Sequence, residues 1–127
     1  MSAGTILVAD DDEDILLLVA TRLKRDGFDV VTARNGVEAL ELVREHRPEV
    51  AVLDISMPPP NGLDVCREIR ADTDLDETRL VLLTAKARHA DVQTGYSAGA
   101  DAYVSKPFSP AELSARVREL LGYAGGE

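Results

Sequence analysis

The chain has 127 residues and a mass of 13.7 kDa, 45% of its residues are hydrophobic, and it is long enough for one globular domain with its own core. A formal net charge of -9 and a pI near 4.6 argue against this domain binding a nucleic-acid phosphate backbone by itself, and a lone Cys66 excludes an intrachain disulfide or a thiolate metal cluster. No apolar run approaches the ~18 residues that span a bilayer, and Met1-Ser2-Ala3-Gly4 lacks a signal peptide's layout, so a cytoplasmic protein without membrane contact is expected.

Thr5 to Ala9 reads as a short apolar strand running into five consecutive acids, Asp10 to Asp14. Helix-start chemistry accounts for Asp12 to Asp14, because acids in a first turn sit well against the positive end of the helix dipole. Asp10 and Asp11 come earlier, at the strand end, where they gain little from the dipole and repel each other. A bound cation explains that pair better. The following helix places Ile15, Leu18, Val19 and Leu23 at helical spacing and stops at Gly27. Phe28 to Ala33 is the second strand, and Asn35 with Glu38 reads as the N-cap and capping-box acid of a helix that ends before Pro48.

The run from Glu49 to Asp54 is rich in β-branched residues and reads as a central strand buried on both faces. It delivers Asp54 to the carboxyl edge of the sheet, where open parallel sheets bind ligands, and then breaks into Pro58-Pro59-Pro60-Asn61-Gly62. A helix to about Ala71 follows, with Cys66 spaced from Leu63 and Ile69 as a small core residue. Arg79 to Thr84 is the fourth strand and ends on a hydroxyl. His89 to Ala98 is a weak helix with only Val92 and Tyr96 as an apolar stripe and Gly95 inside it, and is expected to be mobile. Asp101 to Ser105 is the fifth strand, followed by Lys106-Pro107-Phe108. Ser109, Pro110 and Glu112 start the last helix, which buries Leu113, Val117, Leu120 and Leu121.

Strands alternating with helices through short loops mean an α/β fold: a doubly wound five-stranded parallel sheet. Its carboxyl edge gathers Asp10, Asp11, Asp54, Thr84 and Lys106 around one hollow. Like charges at 4 Å repel by about 4 kcal/mol per pair at an effective dielectric near 20 unless a cation compensates. The all-oxygen donor set selects a hard ion such as Mg²⁺.

Five signatures in order, Val8-Ala9-Asp10-Asp11, Leu53-Asp54-Ile55-Ser56-Met57-Pro58 with Gly62, Leu82-Leu83-Thr84-Ala85, Gly99-Ala100-Asp101 and Tyr103-Val104-Ser105-Lys106-Pro107-Phe108, resemble the receiver domain of two-component response regulators over residues 4 to 121. The resemblance implies a flavodoxin-like (βα)5 fold, like that of the chemotaxis regulators, with strand order 2-1-3-4-5. Residues 1–121 would be the receiver and 122–127 a flexible tail or the start of a linker. Asp54 would be the nucleophile that takes a phosphoryl group from the phosphohistidine of a sensor histidine kinase or phosphotransfer protein. Asp11, Asp54 and the backbone carbonyl of Ser56 would hold Mg²⁺, with Asp10 acting largely through coordinated water. Lys106 would contact Asp54 and then the phosphoryl group, and Thr84 would donate its hydroxyl to it. Lys106-Pro107 would be a cis peptide. Tyr103 would be the switch aromatic that turns inward as Thr84 moves, altering the surface of the fourth helix, fifth strand and last helix toward an effector. The chain would then be no enzyme beyond catalysing its own phosphorylation and dephosphorylation.

Taken singly, Lys106 reads as a surface lysine, Thr84 as a strand-end hydroxyl and Tyr103 as a half-buried strand aromatic. A dinucleotide site would need glycines where Asp10, Asp11 and Asp12 stand. A haloacid-dehalogenase-like phosphotransferase would need an acid where the chain has Ser56. An interaction module independent of phosphorylation is the third alternative, against which the intact acid, threonine and lysine set argues. The chain departs from the pattern of receivers that drive winged-helix factors, with Ala102 in place of the second acid before the tyrosine and no base in Val92-Gln93-Thr94. A phosphorylation-dependent homodimer through that ionic network is therefore in doubt. Ser56 and Lys86, two residues beyond Asp54 and Thr84, occupy positions expected to tune loss of the phosphoryl group.

Overall fold

A computed structural model describes residues 3–85, 93–94 and 96–122. Lys86, most of the expected fourth helix and the expected tail after Gly122 lie outside the described residues, although Gln93, Thr94, Tyr96 and Ser97 are helical. Strands β1 (Thr5–Ala9), β2 (Asp29–Ala33), β3 (Val50–Asp54), β4 (Arg79–Thr84) and β5 (Ala102–Ser105) form one parallel sheet in the order β2-β1-β3-β4-β5, as expected. Between them run α1 (Glu13–Arg25), α2 (Gly36–His46) and α3 (Gly62–Ala71), a 3₁₀ turn at Thr73–Leu75 lies between α3 and β4, and a last helix (Pro110–Leu120) follows β5.

The period of two along each strand divides the core. Leu7, Ala9, Ala51, Leu53, Leu80 and Leu82 face α2 and α3, whereas Ile6, Val8, Val50, Val52, Val81 and Leu83 face α1 and the last helix. All five residues of β3 are buried, because the central strand is covered on both faces. Its final residue therefore carries its carboxylate at a rigid point.

Two local expectations are corrected. Leu18 is 58% exposed, and α1 buries Leu16, Val19, Ala20 and Leu23. Ile15 to Val19 is an unbroken apolar run, so its helical phase is set by packing rather than by spacing. Asn35 caps α2 by accepting from the Glu38 N–H at 2.8 Å, but the Glu38 carboxylate accepts from the Arg34 N–H rather than from Asn35, leaving the box open. The closed box is at α3, where Asn61 and Asp64 exchange bonds of 3.0 Å.

Candidate functional site

Parallel pairing of β1, β3, β4 and β5 brings their carboxyl ends together, and the chemistry-bearing residues follow directly. Asp10 comes just after β1, Asp54 ends β3 and Thr84 ends β4, opposite Ser105 of β5. Lys106 is the next residue, and its N–H donates to the Thr84 carbonyl at 2.6 Å. The Lys106-Pro107 peptide is cis, as expected, and so is Pro59-Pro60, which the sequence reading did not anticipate.

Asp10 is fully buried and Asp54 is 1% exposed. The Lys106 Nζ lies 3.2 Å from Asp10 Oδ2 and 3.3 Å from Asp54 Oδ2, so one ammonium bridges two carboxylates. Asp12 donates its N–H to Asp10 Oδ1 at 3.0 Å, and the Lys106 ammonium stands against Asp10 Oδ2. Burial pushes the Asp10 carboxyl up to about 6; the nearby Asp54 charge adds to this, while the Asp12 N–H and Lys106 oppose it. Burial disfavours the Lys106 ammonium, yet Asp54 and Asp10 outweigh it and hold its pKa above the ordinary lysine value. Among the described residues, one lysine faces three acids once Asp11 is included.

Asp11 is exposed at the rim, and one carboxylate oxygen from each of Asp10, Asp11 and Asp54 lies within 4.8 Å of the others. Oxygen donors alone, from three carboxylates that face one ammonium among the described residues, fit a hard divalent cation.

Ser56 contributes more than the sequence reading assigned to it. Its N–H donates to Asp54 Oδ1 at 3.1 Å, and its hydroxyl lies 2.9 Å from both Asp54 oxygens. The loop carrying Ser56 is pinned. Met57 is buried, the Asn61–Asp64 box fixes the far end, and a Cβ at Gly62 would come within 2.6 Å of the Asp54 carbonyl oxygen, so only glycine permits α3 to start there. Thr84 is buried beside the hollow, and Tyr103 is half-buried on the α3 face of β5. On the other side of Lys106, an apolar recess of about 350 Å³ is walled by Ile15, Leu18, Pro107 and Phe108. This recess gives exposed Leu18 its surroundings.

Asp101 lies outside the hollow. It accepts from the Leu80 N–H at 2.7 Å and from Arg70 Nη2 at 2.8 Å, an arrangement between distant segments that no sequence spacing announces.

Residues 6–118 match the response regulator receiver domain family. The chain is 46% identical over 116 residues to the DNA-binding response regulator MtrA of Mycobacterium tuberculosis H37Rv, covering 91% of this chain and 50% of that protein. It thus spans about half the length of the curated relatives it matches. Among solved structures, the chemotaxis protein CheY4 of Vibrio cholerae superposes with a TM-score of 0.88 at 28% identity, over 92% of this chain and 98% of that one. The receiver domain of a sensor histidine kinase from Pseudomonas aeruginosa PAO1, described with a magnesium ion coordinated in its active-site cleft, superposes with a TM-score of 0.85 at 26% identity, over 95% of this chain and 99% of that one. The strand order, the edge cluster and the match over most of the sequence place the chain in the response-regulator receiver family, whose general function is switching by phosphorylation.

Proposed function

We propose that Asp54 of this receiver accepts a phosphoryl group from the phosphohistidine of a sensor histidine kinase or phosphotransfer protein. The observation that carries the reading is the Lys106 ammonium, held 3.3 Å from Asp54 and 3.2 Å from Asp10 inside a buried, over-acidic cluster. An Asp54 oxygen attacks phosphorus as the bond from phosphorus to the donor imidazole breaks, and the imidazole leaves. Lys106 stabilises charge on the transferring oxygens, and Thr84 donates its hydroxyl to the phosphoryl group. Asp11, Asp54 and the backbone carbonyl of Ser56 hold Mg²⁺, with Asp10 beside them, and the bound ion supplies positive charge to the phosphoryl oxygens. The Ser56 hydroxyl, already on the Asp54 carboxylate, orients it before attack.

The chain catalyses only its own phosphorylation and dephosphorylation in the cytoplasm. Residues 1–121 act as the receiver and 122–127 as a tail or linker. Thr84 and Tyr103 couple the phosphoryl group to the surface of the fourth helix, β5 and the last helix, which meets the effector. The relatives' DNA-binding character supports an effector that binds DNA, and the net charge of -9 supports leaving that contact to the effector. A salt-bridged homodimer through this surface is disfavoured, because Ala102 stands in place of the second acid and Asp101 is engaged by Arg70.

Intact mass after incubation with Mg²⁺ and acetyl phosphate tests the reading. One hydroxylamine-labile phosphoryl group is expected, absent from Asp54→Asn and from a metal-free control. A folded, Mg²⁺-binding protein that gains none under any condition would favour an interaction module independent of phosphorylation.

A further inference from the structure

The ring of Tyr103 does not stand alone on β5. Tyr96 packs against it edge to face, with centroids 5.1 Å apart and an interplanar angle of 67°. Such pairs prefer this geometry because the positive edge of one ring meets the negative face of the other. Tyr96 is otherwise 48% exposed, so ordinary core packing does not explain its position.

The chain between the two tyrosines is fixed to α3. The Cys66 thiol donates to the Ala98 carbonyl at 3.3 Å, and Arg70 Nε donates to the Gly99 carbonyl at 2.9 Å. The other arm of the same guanidinium holds Asp101, whose carboxylate also accepts from the Leu80 N–H in β4. Gly99 has φ +105, and a Cβ there would come within 2.4 Å of Arg70 Cγ, so the close approach of α3 requires glycine. The Gly99 N–H returns to the Tyr96 carbonyl at 3.0 Å, fixing the backbone of Tyr96 relative to this anchor. A turn of the Tyr103 side chain alone leaves the Tyr96 backbone in place. Rotation of Tyr103 breaks the ring contact.

We propose that Tyr96 is a positioning residue that latches Tyr103 in the arrangement belonging to the unmodified Asp54 carboxylate. The latch rests on the reading of Asp54 as phosphoryl acceptor, and it opposes that switch. A contact present in one state and lost in the other biases the equilibrium by its own free energy, and it lowers the affinity of any ligand that favours the second state by the same factor. An aromatic pair of ordinary strength corresponds to roughly a two- to twelvefold effect.

The test is the affinity for beryllium fluoride, a tetrahedral mimic of the phosphoryl group, measured by ¹⁹F NMR at saturating Mg²⁺. Tyr96→Ala is expected to bind the mimic roughly two- to twelvefold more tightly than the parent protein, whereas Tyr96→Phe, which keeps the ring, should match the parent. The gain should vanish in a Tyr103→Leu background, and Mg²⁺ affinity without beryllium fluoride should not change. Unchanged or weaker binding by Tyr96→Ala, or the same gain without Tyr103, would overturn the latch while leaving Asp54 as acceptor. A parent protein that binds Mg²⁺ but not beryllium fluoride would overturn both.

Discussion

Two acidic groups in this molecule meet opposite fates. Asp101 is surrounded by donors: the Leu80 N–H and Arg70 both bind its Oδ2, and Arg79 approaches within 4.0 Å. Its charge is consumed in joining α3 to β4 and to the start of β5. Asp10 is fully buried beside Asp54 and shares one lysine with it. The first arrangement is complete as folded. The second carries more negative charge than the described residues around it neutralise, which is costly for stability alone and useful for holding a cation and a phosphoryl group.

Removing Lys106 breaks this comparison most severely. Lys106→Met should slow phosphorylation by acetyl phosphate about 100-fold, as loss of one preorganised charge-stabilising donor does. It should also tighten Mg²⁺ binding, because the cluster becomes more negative. Stopped-flow mass analysis and calorimetry read the two effects separately; a slower reaction with weaker Mg²⁺ binding would point to collapse of the hollow instead.

Asp101→Asn and Asp10→Asn sharpen the contrast because their signs differ. Asp101→Asn removes a charge-assisted bond to Arg70 and should cost about 1–3 kcal/mol in urea unfolding, with Mg²⁺ affinity unchanged. Asp10→Asn should stabilise the metal-free protein at pH 7. The folded-state value of Asp10, about 6, lies above its ordinary 3.8, so its charged form burdens the folded state above pH 6 and the burden is relieved as pH falls from about 6 toward 4. Metal-free protein should thus gain on the order of 1–2 kcal/mol over that window, and Asp10→Asn should flatten the curve. Asp26, held below the ordinary carboxylate value chiefly by Ser114 and Arg22 against the effect of burial, contributes stability that is lost only at lower pH.

The contrast also marks what was legible in the sequence. Strand ends are set by local patterns, so Asp10, Asp54, Thr84 and Lys106 were placed correctly from apolar runs and the breaks after them. Asp101 was visible only as part of a signature. Its partners lie 31 and 21 residues away, on α3 and β4, and depend on how those elements pack. Leu18 was misplaced because an unbroken apolar run carries no phase. The Ser56 hydroxyl was overlooked because its bond to Asp54 depends on a rotamer fixed by the pinned loop. The Tyr96–Tyr103 pair bridges an element the sequence described only as a weak helix.

Borohydride trapping tests the central claim most directly. After incubation with Mg²⁺ and acetyl phosphate, reduction of an acyl phosphate and peptide mass mapping should find homoserine at position 54 and at no other carboxylate. Reduction at Asp10 or Asp11 instead, or a phosphoryl group that resists borohydride altogether, would contradict the assignment of Asp54 as the group this hollow is built to activate.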